Sequence, residues 1–266
     1  MMFKRNVSLL AALCLLAALA VPLASASAAV PVTVDDALIG GNSYLADSVT
    51  MTPLRDFCAA LGGWTVSWRD GYAVAQKSGV ILRAAPDSDT FSVNGSLRRL
   101  SKPAAFSGGR VYLPLRDLCH ALGYEVSWSS ALGGAAVSTG KTPSYNDEDL
   151  YWLSRIISAE SQGESLKGQI AVGNVVLNRV ASKEFPSTVK GVVFDAKDGT
   201  QFEPVTNKTV YNAPTPRSVA AAKAALAGTH VVGKCLYFYA PALSKGTWIR
   251  THRTYYATIG CHRFYL

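Results

Sequence analysis

The chain has 266 residues, an apolar fraction of 49% and a formal net charge of +8. Its length allows two domains, and its apolar content, with only 17% charged residues, argues against a disordered chain. The basic excess lies mainly in residues 147–266, which carry 14 basic and 9 acidic side chains. A basic protein suits a polyanionic partner, although plain solubility explains the same charge.

The first 28 residues are typical of a secretory signal peptide. Lys4 and Arg5 precede the short apolar run SLLAALCLLAALAVP, and two small-residue cleavage sites follow at residues 24–28. The alternative is an uncleaved membrane anchor, although the run is short for a spanning helix. We therefore expect an exported protein without stable membrane insertion. Export argues against nucleic acid as the partner.

Four cysteines lie beyond the signal peptide, and an exported chain with an even number can form disulfides. Two bridges are considered, Cys58 with Cys119 and Cys235 with Cys261, and the alternative in each case is a free thiol. None of these cysteines has the spacing of a metal site, so we predict no metal and no cofactor.

The second half of the chain predicts two helices, over residues 147–161 and 166–182, separated by Gly163. Asn146 can cap the first helix, and the second is apolar nearly all round, which predicts burial. Glu160 falls at the inner end of this pair. Burial raises the pKa of a carboxyl group, and a Glu that stays protonated near neutral pH can act as a general acid.

The stretch SAESQGESLKGQIAVGNVVLNRV, residues 158–180, resembles the signature of the SleB-type cell wall hydrolases, the spore cortex-lytic enzyme family. Further matches are FPSTVKGVVF, QFEPV, LYFYAP and IGCHRFY, so the resemblance covers residues 147–266. Ser161 departs from the family, which usually has Ala there. The resemblance implies a mainly helical, lysozyme-like domain with a small sheet, similar to lytic transglycosylases.

The same resemblance implies a function. We expect a peptidoglycan lytic transglycosylase that cleaves the MurNAc–GlcNAc bond of spore cortex during germination, with Glu160 as general acid/base. It would act in the cell wall or the spore envelope. The alternatives are a hydrolytic muramidase or glucosaminidase acting on vegetative wall, and a noncatalytic wall-binding protein.

Other residues are candidates for support or substrate binding. Glu164 either caps the second helix, orients Glu160 or raises its pKa. Asn178 either holds the active-site loop, the role we favour, or contacts sugar. Gln201 and Phe202 are placed beside the cleft, where an amide and a ring suit N-acetyl groups and sugar faces. Tyr237, Tyr239 and Trp248 either line the groove or belong to the core. A hydrolytic route needs a second carboxylate, for which the candidates are Glu164, Asp195, Asp198 and Glu203.

Residues 32–139 contain an internal repeat. TPLRDFCAALGGWTVSW at 52–68 matches LPLRDLCHALGYEVSW at 113–128, with an offset of 61 residues. Each copy predicts a short helix that begins after Pro and ends at Gly, followed by an alternating strand. Strands are also predicted at residues 80–83, 90–93, 97–100 and 110–113.

This repeated unit resembles the domain named after the N-terminal region of copper amine oxidases. No copper is expected, because His120 is the only histidine of the segment. The resemblance implies a noncatalytic accessory module, either a wall-holding domain or a spacer. The prediction for the whole chain is therefore a two-domain α+β protein: residues 1–28 are removed, residues 32–139 form the repeated strand/helix domain, residues 140–146 a linker, and residues 147–266 the mainly helical domain.

Overall fold

The structure is a computed structural model that describes residues 28–40, 42–197 and 199–266. The predicted signal peptide, apart from Ala28, lies outside the described residues, as does Asp198. Among the described helices, none has both the length and the apolar character needed to cross a membrane. The prediction of a two-domain α+β protein, sheet-rich first and helical second, is confirmed.

The first domain consists of short strands and two helices, each of which follows a strand that ends in Pro. In chain order the elements are β1 Val32–Val34, β2 Ala37–Leu38, β3 Tyr44–Ala46, β4 Val49–Pro53, α1 Leu54–Leu61, β5 Thr65–Arg69, β6 Tyr72–Lys77, β7 Val80–Ala84, β8 Thr90–Val93, β9 Ser96–Arg99, β10 Ala105–Ser107, β11 Arg110–Pro114, α2 Leu115–Leu122, β12 Glu125–Ser129 and β13 Gly134–Ser138. The repeat predicted from sequence is therefore a repeat of strand, helix and strand.

The two repeat copies pair with each other through an antiparallel pair at the centre of one sheet. This sheet has the order β10-β11-β4-β3, and its middle strands align Thr52 with Leu113. These two residues occupy equivalent positions in the repeat, so the copies are related by a pseudo-twofold axis at this point. The outer hairpins β3–β4 and β10–β11 are consequently equivalent as well.

The apolar faces of α1 and α2 meet in one core that holds Phe57, Leu118 and both repeat cysteines. Cys58 and Cys119 form no bridge; they are free thiols, and burial raises the pKa of each to about 12. Cys235 and Cys261 are also free, so neither disulfide considered from sequence is formed. The repeat cysteines act as small buried apolar side chains.

The second domain is mainly helical with a three-stranded sheet, as predicted. Its elements are α3 Asp147–Ser161, α4 Leu166–Ala181, α5 Val189–Val193, α6 Glu203–Thr206, a 3-10 helix Thr209–Tyr211, α7 Pro216–Leu226, β14 Tyr237–Tyr239, α8 Thr247–His252, β15 Tyr255–Ile259 and β16 His262–Tyr265. The Asn146 side chain accepts a hydrogen bond from the Asp149 backbone N at 2.8 Å, so the predicted cap of α3 is confirmed.

Helix α4 is the central element of this domain. It packs against α3 and α7, and Ile170, Val172 and Val176 are completely buried in the resulting core. The sheet, of order β14-β16-β15, covers another face of α4 through Phe264. The apolar pattern of the second predicted helix therefore indicated its burial correctly.

The two domains contact each other through β2 and the residues near it. The Leu38 backbone N donates to Thr229 Oγ1 at 2.8 Å, just beyond α7. Asp36 accepts a hydrogen bond from the Tyr145 hydroxyl at 2.7 Å and lies 3.9 Å from Lys223 Nζ. The linker is thus held against the first domain close to where α3 begins.

The close approach of α4 to its neighbours depends on Gly173. A Cβ at this position would lie 2.8 Å from Ile157 Cδ1 and 3.3 Å from Ala225 Cβ. We expect Gly173→Val to lower the free energy of unfolding by about 1–3 kcal/mol, because the added methyl groups force α3 and α7 apart. Urea denaturation measures the change.

Gly163, in the turn between α3 and α4, is the matched control. A Cβ there meets no heavy atom within 4 Å, and the backbone has an ordinary conformation. Gly163→Ala should change the free energy of unfolding by less than about 1 kcal/mol. Equal effects of the two substitutions would contradict the packing argument.

Candidate active site

The turn between α3 and α4 is held in place by the buried side chain of Gln169. Its Nε2 donates to the backbone oxygens of Gln162 and Glu164, at 3.2 and 3.1 Å. Its Oε1 accepts from Ser218 Oγ of α7 at 2.9 Å. The amide thus fixes the end of α3, where Glu160 is located.

Glu160 is partly buried, and its environment raises the pKa of its carboxyl group from 4.5 to about 7. Burial is the main cause, the charge of Glu203 adds to it, and the charge of Arg179 opposes it. No side chain or backbone group of the described residues hydrogen-bonds to the Glu160 carboxyl. The group is therefore free to give a proton to a substrate near neutral pH.

Arg179 places a buried positive charge next to this carboxyl. Only 5% of the residue is exposed, and its Nε donates to the Leu236 backbone oxygen at 2.8 Å. The guanidinium carbon lies 4.8, 5.2 and 5.6 Å from the ring centres of Phe185, Phe202 and Tyr237. Its Nη1 has no hydrogen-bond partner among the described residues. Sequence reasoning missed Arg179; the available signal was a cation on an otherwise apolar helix.

The Glu164 side chain contacts the start of the last strand of the sheet, β16, and the residue before it. Its Oε1 accepts a hydrogen bond from the Cys261 backbone N at 3.1 Å and lies 3.6 Å from His262 Nδ1. A Cβ at Gly260, whose φ is +57°, would overlap the Glu164 carboxylate. Glu164 therefore anchors the turn between β15 and β16. It neither caps α4, which Ser165 does, nor supplies the like charge, which comes from Glu203.

The Glu164 carboxylate also changes the pKa of the exposed Cys261 thiol. It raises the pKa of Cys261 through a hydrogen bond and through its charge. A nucleophilic cysteine needs the opposite shift, because the thiolate is the reactive form. The Cys261–His262 pair therefore lacks the activation of a thiol enzyme.

Asn178 has the structural place expected of it. Its Nδ2 donates to the backbone oxygens of Gly233 and Cys235, at 2.8 and 2.9 Å. Asn174, one turn earlier, donates to the Thr229 oxygen and accepts from the Val231 N, both at 2.8 Å. Both amides hold the segment that leads from α7 to the sheet.

The aromatic candidates divide into core and surface. Phe202 is 2% exposed and its ring centre lies 5.2 Å from the Arg179 guanidinium carbon, so it is a buried packing residue and does not offer its ring to a sugar. Tyr239 is 8% exposed and faces the Tyr265 ring at 5.9 Å, so it too is mainly core. Trp248 is 51% exposed and stacks on His252 with ring centres 5.2 Å apart.

The remaining polar candidates lie in the loop before α6 and in its first turn. The Gln201 side chain is partly buried and donates to the Gly199 backbone oxygen at 3.1 Å. Asp195 accepts from the Lys197 backbone N at 3.1 Å, and its charge acts on Arg179. Glu203 is exposed at the first position of α6, and its charge acts on Glu160. Of the second carboxylates considered that belong to the described residues, Glu203 is the one whose charge raises the pKa of Glu160.

A partly buried carboxyl group whose pKa is raised to about 7, on a mainly helical domain, is a candidate acid/base site. Residues 163–265 match the cell wall hydrolase family, and residues 34–137 match the copper amine oxidase N-terminal domain. These matches identify a cell wall hydrolase domain at residues 163–265 and a copper amine oxidase N-terminal domain at residues 34–137. The residues that match the cell wall hydrolase family begin at 163, just after Glu160. The assignment of Glu160 therefore rests on its burial and its raised pKa.

Named relatives are similar to the second half of the chain. A spore cortex-lytic enzyme of Bacillus cereus is 35% identical over 120 residues, which are 45% of each chain. A spore cortex-lytic enzyme of Oceanobacillus iheyensis is 33% identical over 138 residues, which are 50% of this chain and 49% of that protein. The chain spans about half the length of the curated relatives it matches. The catalytic domain of the germination-specific lytic transglycosylase SleB from Bacillus anthracis is 33% identical and is covered completely by 47% of this chain, with a TM-score of 0.43. The family resemblances stated from sequence are confirmed.

The raised pKa of Glu160 predicts how the stability of the native state depends on pH. Between pH 4.5 and about 7 the unfolded carboxyl ionises while the native one keeps its proton, so native stability falls as the pH rises and the full loss is present above pH 7. Glu160→Gln removes this loss. We expect the variant to be more stable than the wild type by roughly 3 kcal/mol at pH 8, and the difference to vanish at pH 4.

Chemical denaturation at a series of pH values measures this difference. Glu184→Gln, which removes an exposed carboxylate of the same domain, is the matched control and should follow the wild type at every pH. A Glu160→Gln variant whose stability advantage does not change with pH would contradict the assigned burial.

Proposed function

We propose that this chain is an exported peptidoglycan lytic transglycosylase that cleaves the MurNAc–GlcNAc bond of glycan strands. The observation that carries the proposal is the Glu160 carboxyl group, protonated near neutral pH and free of hydrogen-bond partners among the described residues. Relatives named spore cortex-lytic enzyme support spore cortex as the substrate and germination as the stage at which the enzyme acts. The site of action is then the cell wall or the spore envelope.

The reaction needs one group that first gives and then takes a proton. Protonated Glu160 donates its proton to the bridging oxygen, and the bond from that oxygen to C1 of the muramic residue breaks with the electron pair going to the oxygen. The C6 hydroxyl of the same muramic residue attacks C1, and its proton passes to the Glu160 carboxylate. The product has a 1,6-anhydro ring, and the enzyme returns to its starting state without adding water.

The charges around Glu160 suit this cycle. Burial and the Glu203 carboxylate favour the protonated resting form. Once the proton has left, the buried charge of Arg179 stabilises the new carboxylate and the positive centre forming at C1 gains a negative neighbour. The two opposing influences hold the pKa near the pH at which the group must both give and take a proton.

The surface charge of the second domain agrees with a polyanionic wall polymer. Its 14 basic residues outnumber its 9 acidic ones. Trp248 offers an exposed ring, and sugar rings pack their C–H faces on such surfaces. Peptidoglycan, with acidic stem peptides on its glycan strands, combines both properties.

Glu160→Gln tests the assignment of the acid. We expect the variant to release soluble fragments from purified cortex or vegetative peptidoglycan about 10²–10⁴-fold more slowly, because no proton reaches the leaving oxygen. Wild-type activity should also decline above pH 7 as Glu160 loses its proton. Turbidity loss of the insoluble substrate measures the rate.

Glu184→Gln serves as the control and should cleave at the wild-type rate. Mass spectrometry of the fragments then decides the product, and 1,6-anhydro-muramic ends are expected. Unchanged cleavage by the Glu160→Gln variant would remove Glu160 from the mechanism. A folded wild-type protein that releases nothing from either substrate would leave the noncatalytic wall-binding function.

Hydrolysis is the second candidate function, and the effect of the Glu203 charge on Glu160 favours it. A muramidase or glucosaminidase adds water with the help of a second carboxylate. Glu203 is exposed at the start of α6, where a water molecule can reach it. Reducing ends that carry one added water, in place of anhydro ends, would identify this route.

Glu203→Gln separates the two routes. For a transglycosylase we expect retained cleavage, with the alkaline limb of the pH–rate profile moved to lower pH because a charge that raises the pKa of Glu160 is gone. For a hydrolase that uses Glu203 as base, cleavage should fall by about 10²-fold or more. Asp195→Asn is the comparison, since the Asp195 charge acts on Arg179 instead.

A further inference from the structure

Two pockets of the first domain occupy equivalent places in its two repeat copies. One has a volume of about 280 Å³ and is lined by Leu54, Trp68 and Phe106, among others. The other has a volume of about 320 Å³ and is lined by Leu115 and Trp128, among others. Every lining residue of the first pocket has a counterpart in the second, which is also lined by Ser101 and Asp117, so both pockets are products of the repeat.

The pseudo-twofold axis explains why the pockets are equivalent. Each pocket takes its helix and following strand from one copy and its hairpin from the other. The first combines α1 and β5 with the hairpin β10–β11, and the second combines α2 and β12 with the hairpin β3–β4. Since β4 and β11 pair at the axis, both pockets form only when both copies are folded together.

Each pocket has an exposed tryptophan on its rim. Trp68 is 53% exposed and Trp128 is 55% exposed, at the same position of the two copies. Phe106, which is 54% exposed, lies 6.1 Å from Trp68 between ring centres, and Leu45 has the place of Phe106 in the second pocket. Large exposed apolar side chains that line a concavity are typical of a binding surface.

Each pocket also carries an arginine. Arg55 and Arg116 are exposed, occupy equivalent positions, and line the first and second pocket. Within the described part of the chain neither forms an ion pair or a side-chain hydrogen bond. Each guanidinium is therefore available for a carboxylate beside the apolar rim, and this arrangement favours a ligand that is apolar on one face and anionic at one end.

We propose that these two pockets are paired binding sites for peptidoglycan, each placing a sugar ring on its tryptophan and a stem-peptide carboxylate on its arginine. The choice of this polymer rests on the proposed function of the second domain. A pyranose ring has a C–H face that packs on an indole, and the free carboxylates of stem peptides complement the arginines. Two equal sites on one domain suit a polymer that repeats the same unit.

Binding of the Glu160→Gln chain to insoluble sacculi tests the proposal, because this chain should bind without dissolving the polymer. In that background we expect Trp68→Ala and Trp128→Ala each to weaken co-sedimentation about tenfold, since loss of one of two linked sites removes avidity. The double variant should bind more weakly than either single variant. Leu97→Ala is the matched control, since Leu97 is a 74% exposed apolar residue of β9 outside both pockets.

A second pair of variants tests the proposed contact between the arginines and the stem-peptide carboxylates. Arg55→Ala with Arg116→Ala should weaken binding to intact sacculi, and it should have no effect on sacculi from which an amidase has removed the stem peptides. Circular dichroism keeps the comparison to folded chains, and substitution of half-exposed tryptophans should leave the spectra and melting curves unchanged. Binding equal to that of the parent in both tryptophan variants would overturn the proposal.

Other occupants give different results. If the tryptophan variants keep their binding to sacculi but alter the oligomeric state in size-exclusion chromatography, the pockets form a protein interface and the proposal is wrong. Failure of the proposed function is separately visible. A wild-type chain that binds sacculi through Trp68 and Trp128 but releases no fragments would remove the enzymatic function and leave the binding sites.

Discussion

The burial of α4 is the constraint on which the second domain depends. A helix with apolar residues on nearly every face must also accommodate Gln169, Asn174, Asn178 and Arg179, and a buried polar group destabilises the fold unless it is hydrogen-bonded. Each of the four side chains donates to backbone oxygens of the turns and loops around the helix. The bonds of Gln169 therefore also position the end of α3, and with it Glu160, while those of the other three hold the segment that leads from α7 to the sheet. Nη1 of Arg179 has no hydrogen-bond partner among the described residues, and the charge of this side chain lowers the pKa of Glu160.

Most of the fold could be predicted from the sequence, because its signals are local. The repeat, the Pro that starts each short helix and the cap at Asn146 depend on neighbouring residues. The two helices predicted at residues 147–161 and 166–182 begin and end within a residue of the prediction. The pairing of the repeat copies across Thr52 and Leu113 is a contact between distant segments, which local patterns do not specify. The state of the four cysteines is equally a matter of distance, and spacing alone left both bridges open.

The candidate site was only partly predictable. Glu160 stood out because a family resemblance and an apolar helix face agreed on it, whereas Arg179 was not singled out. Its position among Phe185, Phe202 and Tyr237 joins three segments that are far apart in sequence. For Glu164 the spacing suggested an effect on Glu160, but the backbone turns the side chain towards Cys261. Four residues of separation across a Gly-containing turn do not determine which way a carboxylate faces.

The contacts between the domains restrict the distance between the first domain and Glu160. Asp36 holds Tyr145 and lies near Lys223, while the Leu38 backbone is bonded to Thr229, the residue whose carbonyl Asn174 of α4 also binds. These bonds leave residues 140–146 little freedom to act as a flexible tether. The spacing between the first domain and the acid is therefore set by bonded contacts and not by the reach of a loose chain. For the proposed binding of a glycan strand by the first domain and its cleavage by the second, this fixed spacing would limit the sizes of the fragments released.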